Sequence, residues 1–500
     1  MGYGSVLVHR TKEARYHIER EACVTKTAMG VRQTQQINPD IPLDLPRLRY
    51  FSAVAQQDPD AWEGFYHPAV RGSNLEYLFQ IAFAGYALTA MQRQVPAWCG
   101  PDAPFARGVV ALTQRMRDER VWRYWSARMA DPDPVTHANI MYSGHLSCLL
   151  SLAELLSGDA SFDDPFDLVY EGQHAATHDH TNVAMAIHQQ MVAEPSHGVA
   201  CEPGRIYICC NNHAAISNLL YDRCHPGRDL SAINTEWSAW VRRRMVLAPW
   251  HALLPGPPGG ILSGVHFAPN DLSLPAATNF TDAWGLALMT PYDAALPRLL
   301  APRLWRRLHR DRTGAFLPSL RLLTQWEASD TALNTGFAYV LARELGETAV
   351  ATRLRSWAEA HLGPRTEQDH GWYTGEHSAL YTTALFALGD AIAPGGIARL
   401  FTDPPVYDPT APRVAVSSFP AVALTRAVWN DHTQTMSLSI APIAAMQDAT
   451  APARLMMTNL PRQPQVPLDW ASSIKWDADA DQLTIALAPG PAVDLVIACA

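Results

Sequence analysis

Apolar residues recur at helical spacing through most of this chain, and the period changes only near its end. NLEYLFQIAFAGYALTAMQRQ (74–94) carries the pattern throughout and predicts a helix. The same spacing predicts helices over 118–130, 137–158, 181–194, 213–224 and 230–248. It does so again over 280–296, 330–346, 347–363 and 376–392. Loops rich in Gly, Pro, Asp and His join them, and no strand-like alternation interrupts the series. Beyond about residue 400 the runs shorten and alternate, as in TQTMSLSIAPI and WDADADQLTIAL, with Pro, Asp and Gly between them.

A long series of apolar stripes must bury each against the next. A closed toroid of helical hairpins does this more readily than a four-helix bundle. The fold expected is therefore mainly α: an (α/α)6 barrel of helical hairpins with a small C-terminal antiparallel β module. The boundaries expected are an N-terminal extension over 1–45, the barrel over 46–400 and the β-rich module over 401–500.

Composition narrows the function. A net charge of -9 without a Lys/Arg stripe argues against a nucleic-acid partner. The cluster Arg303, Arg306, Arg307, Arg310 and Arg312 reads as the solvated face of a helix. No run approaches the ~20 apolar residues of a membrane span, and the N-terminus does not resemble a secretory signal. The eight cysteines are sparse and read as reduced thiols, so a cytoplasmic location is expected. The 15 Trp and 16 Tyr suit an aromatic interior or an apolar ligand cavity.

Two thiols carry the most chemistry. Cys201 lies in the Gly/Pro loop HGVACEPG, and Cys210 sits at or just before a helix start, where unpaired amides would lower its pKa. Upstream, Met141 and His145 share a helix face by their four-residue spacing. Zinc-finger spacing is missing among Cys201, Cys209, Cys210, Cys224 and His213. The histidines at 174, 178 and 180 include an HDH run, but no metal site is expected. Two loops add carboxylates: Asp58, Asp60 and Glu63 with Tyr66, and Asp369, His370, Glu376 and His377.

The segments DPVTHANIMYSGHL, VWRYW and HGVACEPGRIYICCNNHA resemble the linalool dehydratase/isomerase family, from about residue 46 to 400 and most densely over 120–224. The resemblance implies a cofactor-independent (α/α)6 barrel acting on an allylic isoprenoid (terpene-type) alcohol, a small hydrophobic substrate, assembled as a homo-oligomeric ring with shared active sites. It places the family's paired cysteines on Cys201 and Cys210, its histidine on His145, and its pocket residues on Met141, Tyr207 and Tyr86. The acidic and phenolic groups given by an adjacent subunit fall on Asp60 and Tyr66, with Asp58 a competitor. The founding type's disulfide pair near that segment is missing here.

The activity this implies is acid-assisted loss of hydroxyl through an allyl cation, then deprotonation to an alkene or 1,3-transposition. Cys210 or Cys201 would accept the proton, with a covalent path through Cys201 still open. One rival is a terpenoid cyclase-like enzyme using the same pocket. Another is a carbohydrate-active barrel lyase or epimerase using Asp369, His370 and Glu376, and a third is a non-enzymatic binder of hydrophobic ligands.

Overall fold

The computed structural model describes residues 41–65, 75–126, 132–246, 265–274, 279–318, 331–374, 379–443, 453–466 and 471–499. Most of the expected N-terminal extension, Tyr66, Glu376 and His377 lie outside the described residues.

The helices are α1 (Leu45–Gln56), α2 (Leu75–Gln92), α3 (Pro104–Arg115), α4 (Glu119–Ser126), α5 (Ile140–Ser157), α6 (His180–Ala193) and α7 (Ile208–Cys224). Then follow α8 (Asn234–Arg244), α9 (Asn279–Ala287), α10 (Ala295–Trp305), α11 (Thr331–Leu345), α12 (Thr348–His361), α13 (Ala379–Ala391) and α14 (Gly396–Thr402). Six of them pack in cyclic order: α2 on α5, α5 on α7, α7 on α9, α9 on α11, α11 on α13, and α13 back on α2. These helices are apolar around most of their circumference, as residues enclosed on all sides must be. In α5 all but Glu154 are buried. By length and composition α5 could be mistaken for a membrane span, but 94% of it is buried inside the protein.

Small antiparallel sheets complete the fold. β1 (Phe166–Tyr170) pairs with β2 (Gln173–His178), and β3 (Arg205–Ile206), β4 (Val265–Phe267) and β5 (Leu272–Leu274) form a second ladder. β6 (His309–Arg310) pairs with β7 (Ala315–Phe316), and β8 (Pro364–Glu367) with β9 (His370–Tyr373). Late in the chain come β10 (Arg413–Ser417), β11 (Leu424–Asn430), β12 (Thr435–Ile440), β13 (Ala453–Thr458), β14 (Ala471–Asp477), β15 (Gln482–Leu487) and β16 (Val493–Ala498). They form one sheet in the order β10-β13-β15-β14 and another in the order β11-β12-β16. β12 and β15 bury every second residue, the mark of a sheet with one face in the core. That face belongs to the same hydrophobic cluster as the helices. Gly158 ends α5 at φ 70°, and the Tyr407 ring lies where a Cβ would be, docking the segment before β10 onto the helices.

Several expectations need correction. Hairpins do interrupt the helical series, because their two- to six-residue strands are too short to leave a clear period. The helix expected over 280–296 is two, α9 and α10. The break holds Pro291, and Asp293 accepts the first amides of the second helix from Ala295 and Leu296. The arginine cluster is not one solvated face: Arg307 is buried and donates to the buried Asp282 at 2.8 Å.

Candidate functional site

The helix expected to begin at 213 starts at Ile208, so Cys209, Cys210 and His213 all stand in its first two turns. Cys201 reaches them from the preceding loop. Asn211 fixes this approach by gripping both polar groups of Val199. Its side-chain oxygen accepts from Val199 N at 2.6 Å, and its amide donates to Val199 O at 2.9 Å. The loop also meets α5, since Ile140 N donates to Ala200 O at 3.2 Å. With both ends held, the Cys201 and Cys210 sulfurs lie 3.2 Å apart, in thiol–thiol hydrogen-bond contact. Cys209 Sγ is 3.9 Å from Cys210 Sγ.

This environment reverses the pKa expectation for Cys210. A helix N-terminus favours a thiolate by only about 0.3–1 kcal/mol. Against it stand the contacts with Cys201 and Cys209, followed by burial, and these push the Cys210 thiol well above its ordinary value. Cys210 therefore rests as a proton holder. Tyr207 and Tyr124 flank the sulfurs. Burial, ahead of the nearby ionisable groups, raises both phenols. Tyr124 Oη donates to Asn139 Oδ1 at 3.0 Å, just before α5 begins.

One turn past Cys210, His213 lies on the same face of α7. Its imidazole stacks on that of His145, with centroids 3.6 Å apart. Gly144 makes this possible, because a Cβ there would sit 3.0 Å from His213 Cβ. His145 Nδ1 lies 2.6 Å from Met141 O. A carbonyl can only accept, so Nδ1 carries the proton and Nε2 presents a lone pair. Burial drives the His145 pKa down to about 3. Burial, then the neighbouring His145, holds His213 well below its ordinary value. Both rings are neutral at ordinary pH. Tyr86 Oη lies 3.0 Å from His213 Nδ1.

Aromatic rings from the cyclic helices enclose this pair. Phe79 and Phe83 come from α2, Trp284 from α9, Phe337 from α11 and Tyr381 from α13. Phe79 and Trp284 meet His145 at 5.6 and 6.1 Å, and Phe83 and Trp284 meet His213 at 6.1 and 5.7 Å. Phe337 stacks on Trp284 at 5.2 Å, and Tyr381 lies 5.2 Å from Phe83. Buried polar atoms are normally hydrogen-bonded. Yet His145 Nε2, His213 Nε2 and Trp284 Nε1 are buried with no partner among the described residues.

The structure thus brings together Cys201, Cys210, Tyr207, Met141, His145 and Tyr86, the last through His213. Asp60 stands elsewhere: its side chain is 96% exposed, 3.5 Å from Arg120. Asp58 accepts from Asp60 N at 2.9 Å and so shapes the turn. Arg115 secures that turn by donating to the carbonyls of Gln57, Asp58, Pro59 and Ala61. Asp369 and His370 sit at the tip of the β8–β9 hairpin, where Asp369 is exposed and pairs with Arg49 at 3.5 Å.

The sequence reading passed over His213 and Trp284 as site residues. His213 had a signal, lying one turn from Cys210 in CCNNHA. Trp284 had none beyond its helix period.

These features define a mainly helical protein with a buried thiol–imidazole cluster enclosed by aromatic rings. Residues 78–379, about three-fifths of the chain, match the family model of linalool dehydratase/isomerase, and the chain belongs to that family. Among solved structures, the unsaturated glucuronyl hydrolase of Bacillus sp. GL1, responsible for the degradation of glycosaminoglycan, is similar over 73% of this chain and 98% of its own. The identity is 13% and the TM-score 0.44, too distant for its fold or substrate to be carried over.

Proposed function

We propose that this protein dehydrates or isomerises an allylic isoprenoid alcohol inside an (α/α)6 barrel formed by the cyclic helices and their outer partners. The observation that carries the proposal is the Cys201–Cys210 sulfur contact at 3.2 Å, one turn from a neutral imidazole pair in an aromatic enclosure. A substrate hydroxyl suits the unpartnered nitrogens there, since it can donate to His145 Nε2 and accept from Trp284 Nε1.

Hydroxide leaves poorly, so the hydroxyl takes the Cys210 proton as its C–O bond breaks, giving water, an allyl cation and a thiolate shared with Cys201. The ring faces of Phe79, Phe83 and Trp284 stabilise the cation. The thiolate then removes a proton from the adjacent carbon, which yields the diene and restores the thiol. Water returning to the far allylic carbon gives the isomeric alcohol instead. Atoms balance without a cofactor. His145 positions the hydroxyl and offers a second base through Nε2. Met141, Tyr207 and Tyr86 shape the pocket.

Asp60 is too exposed to act within its own buried site. It and Tyr66 would serve a neighbouring copy, as the family resemblance implies, making the protein a homo-oligomeric ring. A cytoplasmic location suits a site that depends on reduced thiols.

The test is to incubate the purified protein with a panel of allylic isoprenoid alcohols and identify the products, alongside Cys210→Ala. Dienes or transposed alcohols from the wild type, lost in the variant, are expected. Cyclic products would point to capture of the cation by an internal alkene. No turnover by folded wild type, or undiminished turnover by the variant, would remove the proposal.

A further inference from the structure

A second cluster of titratable side chains lies at the other ends of α5 and α7. Glu154 is in the last turn of α5, Asp163 in the 3-10 turn Ala160–Asp163, His180 at the first position of α6, and His225 just past α7. Nine residues of α5 separate Glu154 from His145, about 14 Å of helix, so this cluster is distinct from the thiol site.

We propose that Glu154, Asp163, His180 and His225 bind a divalent transition cation of the zinc class. One ligand atom from each lies within 4.8 Å of all the others. His180 Nδ1 is 3.2 Å from Glu154 Oε2 and 3.6 Å from Asp163 Oδ1, and His225 Nε2 is 3.6 Å from the same Asp163 oxygen. Bonds of 2.0–2.2 Å in a tetrahedron separate the ligand atoms by about 3.4 Å, close to these spacings.

The tautomer of His180 supports the same reading. Ser151 Oγ donates to Ser147 O at 3.0 Å, so its proton is committed. It can then only accept from His180 Nε2, 2.9 Å away. With Nε2–H committed to Ser151, Nδ1 faces two carboxylates in a fully buried side chain, an arrangement that calls for a positive charge there, supplied either by a bound cation or by a ring proton shared with Glu154. Ser151 plays the part of the outer partner that orients a metal-bound imidazole. His225 Nε2 is a buried atom with no hydrogen-bond partner among the described residues, and its ring is held against Tyr221 at 4.2 Å. Two imidazoles with two carboxylates favour zinc-like ions over magnesium or calcium, which prefer all-oxygen sites.

A cation here would tie α5, α6, α7 and the 3-10 turn into one unit. Because α5 and α7 also carry His145 and Cys210, it would stiffen the helix pair behind the thiol site without joining its chemistry. Of the HDH run only His180 takes part; His178 pairs with Asp133 at 2.9 Å, and His174 contacts Thr177 on the surface.

The test uses the full chain stripped with chelator and titrated with Zn2+ alone, then with Co2+ as a spectroscopic probe. One saturable equivalent, a raised Tm and tetrahedral Co2+ bands without sulfur charge transfer are expected. His180→Gln and His225→Gln should each weaken binding at least 100-fold, and Ser151→Ala by about 10–100-fold, while Cys201→Ser keeps it. The half-buried His225 makes its variant the one best placed to fold, with circular dichroism as the check. No saturable binding, binding unchanged in folded His225→Gln, or sulfur charge transfer lost in Cys201→Ser would overturn the proposal. None of these outcomes depends on alcohol turnover.

Discussion

The His145 imidazole lies against that of His213 with 3.6 Å between centroids, and burial keeps both rings from taking up a proton. In the unfolded chain each would titrate near 6.5. As pH falls from 6.5 toward 3, the unfolded state binds protons that folded His145 refuses, so the folded state loses ground. Above 6.5 the two states bind alike and this contribution is constant. The expected slope is about 1.4 kcal/mol per pH unit for each ring once below its unfolded pKa. Denaturant midpoints measured from pH 7 to 4 should show it, and His145→Phe should flatten it.

Because Cys210 holds its proton through the contacts with Cys201 and Cys209, the proposed chemistry ends when the sulfur is removed. Cys210→Ala should lower turnover at least 100-fold and cost only about 1–2 kcal/mol of stability. Steady-state product formation with a melting curve on the same sample separates the two effects.

Asn211 acts through the sulfurs rather than on the substrate. Asn211→Leu leaves both Val199 polar groups buried and unpaired, a loss of about 2–4 kcal/mol. If it positions Cys201, kcat should fall further than KM rises. A variant with normal kcat and lowered Tm would leave Asn211 a purely structural role.

Gly144 lets α5 approach α7 closely enough for the two imidazoles to stack. Gly144→Ala places a methyl group 3.0 Å from His213 Cβ, and overpacking of this kind costs about 1–3 kcal/mol. Chemical denaturation should show that loss, and the histidine ring resonances should shift as the stack opens.

Arg307 and Asp282 form a buried ion pair that joins the segment after α10 to α9. Arg307→Met removes the buried guanidinium from the buried Asp282 carboxylate, and a loss of up to about 3–5 kcal/mol is expected. An urea midpoint near that of the wild type would mean that water reaches Asp282.

The helices were readable because each carries its own period. The 74–94 pattern corresponds to α2, and 330–346 to α11, within a residue or two. Alternation in TMSLSI likewise announced β12, since burying one face of a sheet imposes a period of two. Boundaries that depend on contacts from elsewhere were not readable. CCNN is already helical, with Asn211 N bonded to Tyr207 O while its side chain holds the preceding loop at Val199, and 280–296 splits where Asp293 accepts the first amides of the second helix.

The local chain alone determined most of the long helices, the alternating strands beyond residue 400, and that two thiols nine residues apart are flanked by polar loop residues. It did not determine the helices at Leu45–Gln56, Pro104–Arg115 and Gly396–Thr402 or the short hairpins between helices. Folding decided that those sulfurs touch, that Cys210 keeps its proton, and that His213 and Trp284 join His145. The physical reason is range. Periodicity and capping act over a few residues, whereas pKa values and hydrogen-bond vacancies depend on which side chains distant segments bring within a few ångströms and on the water they exclude.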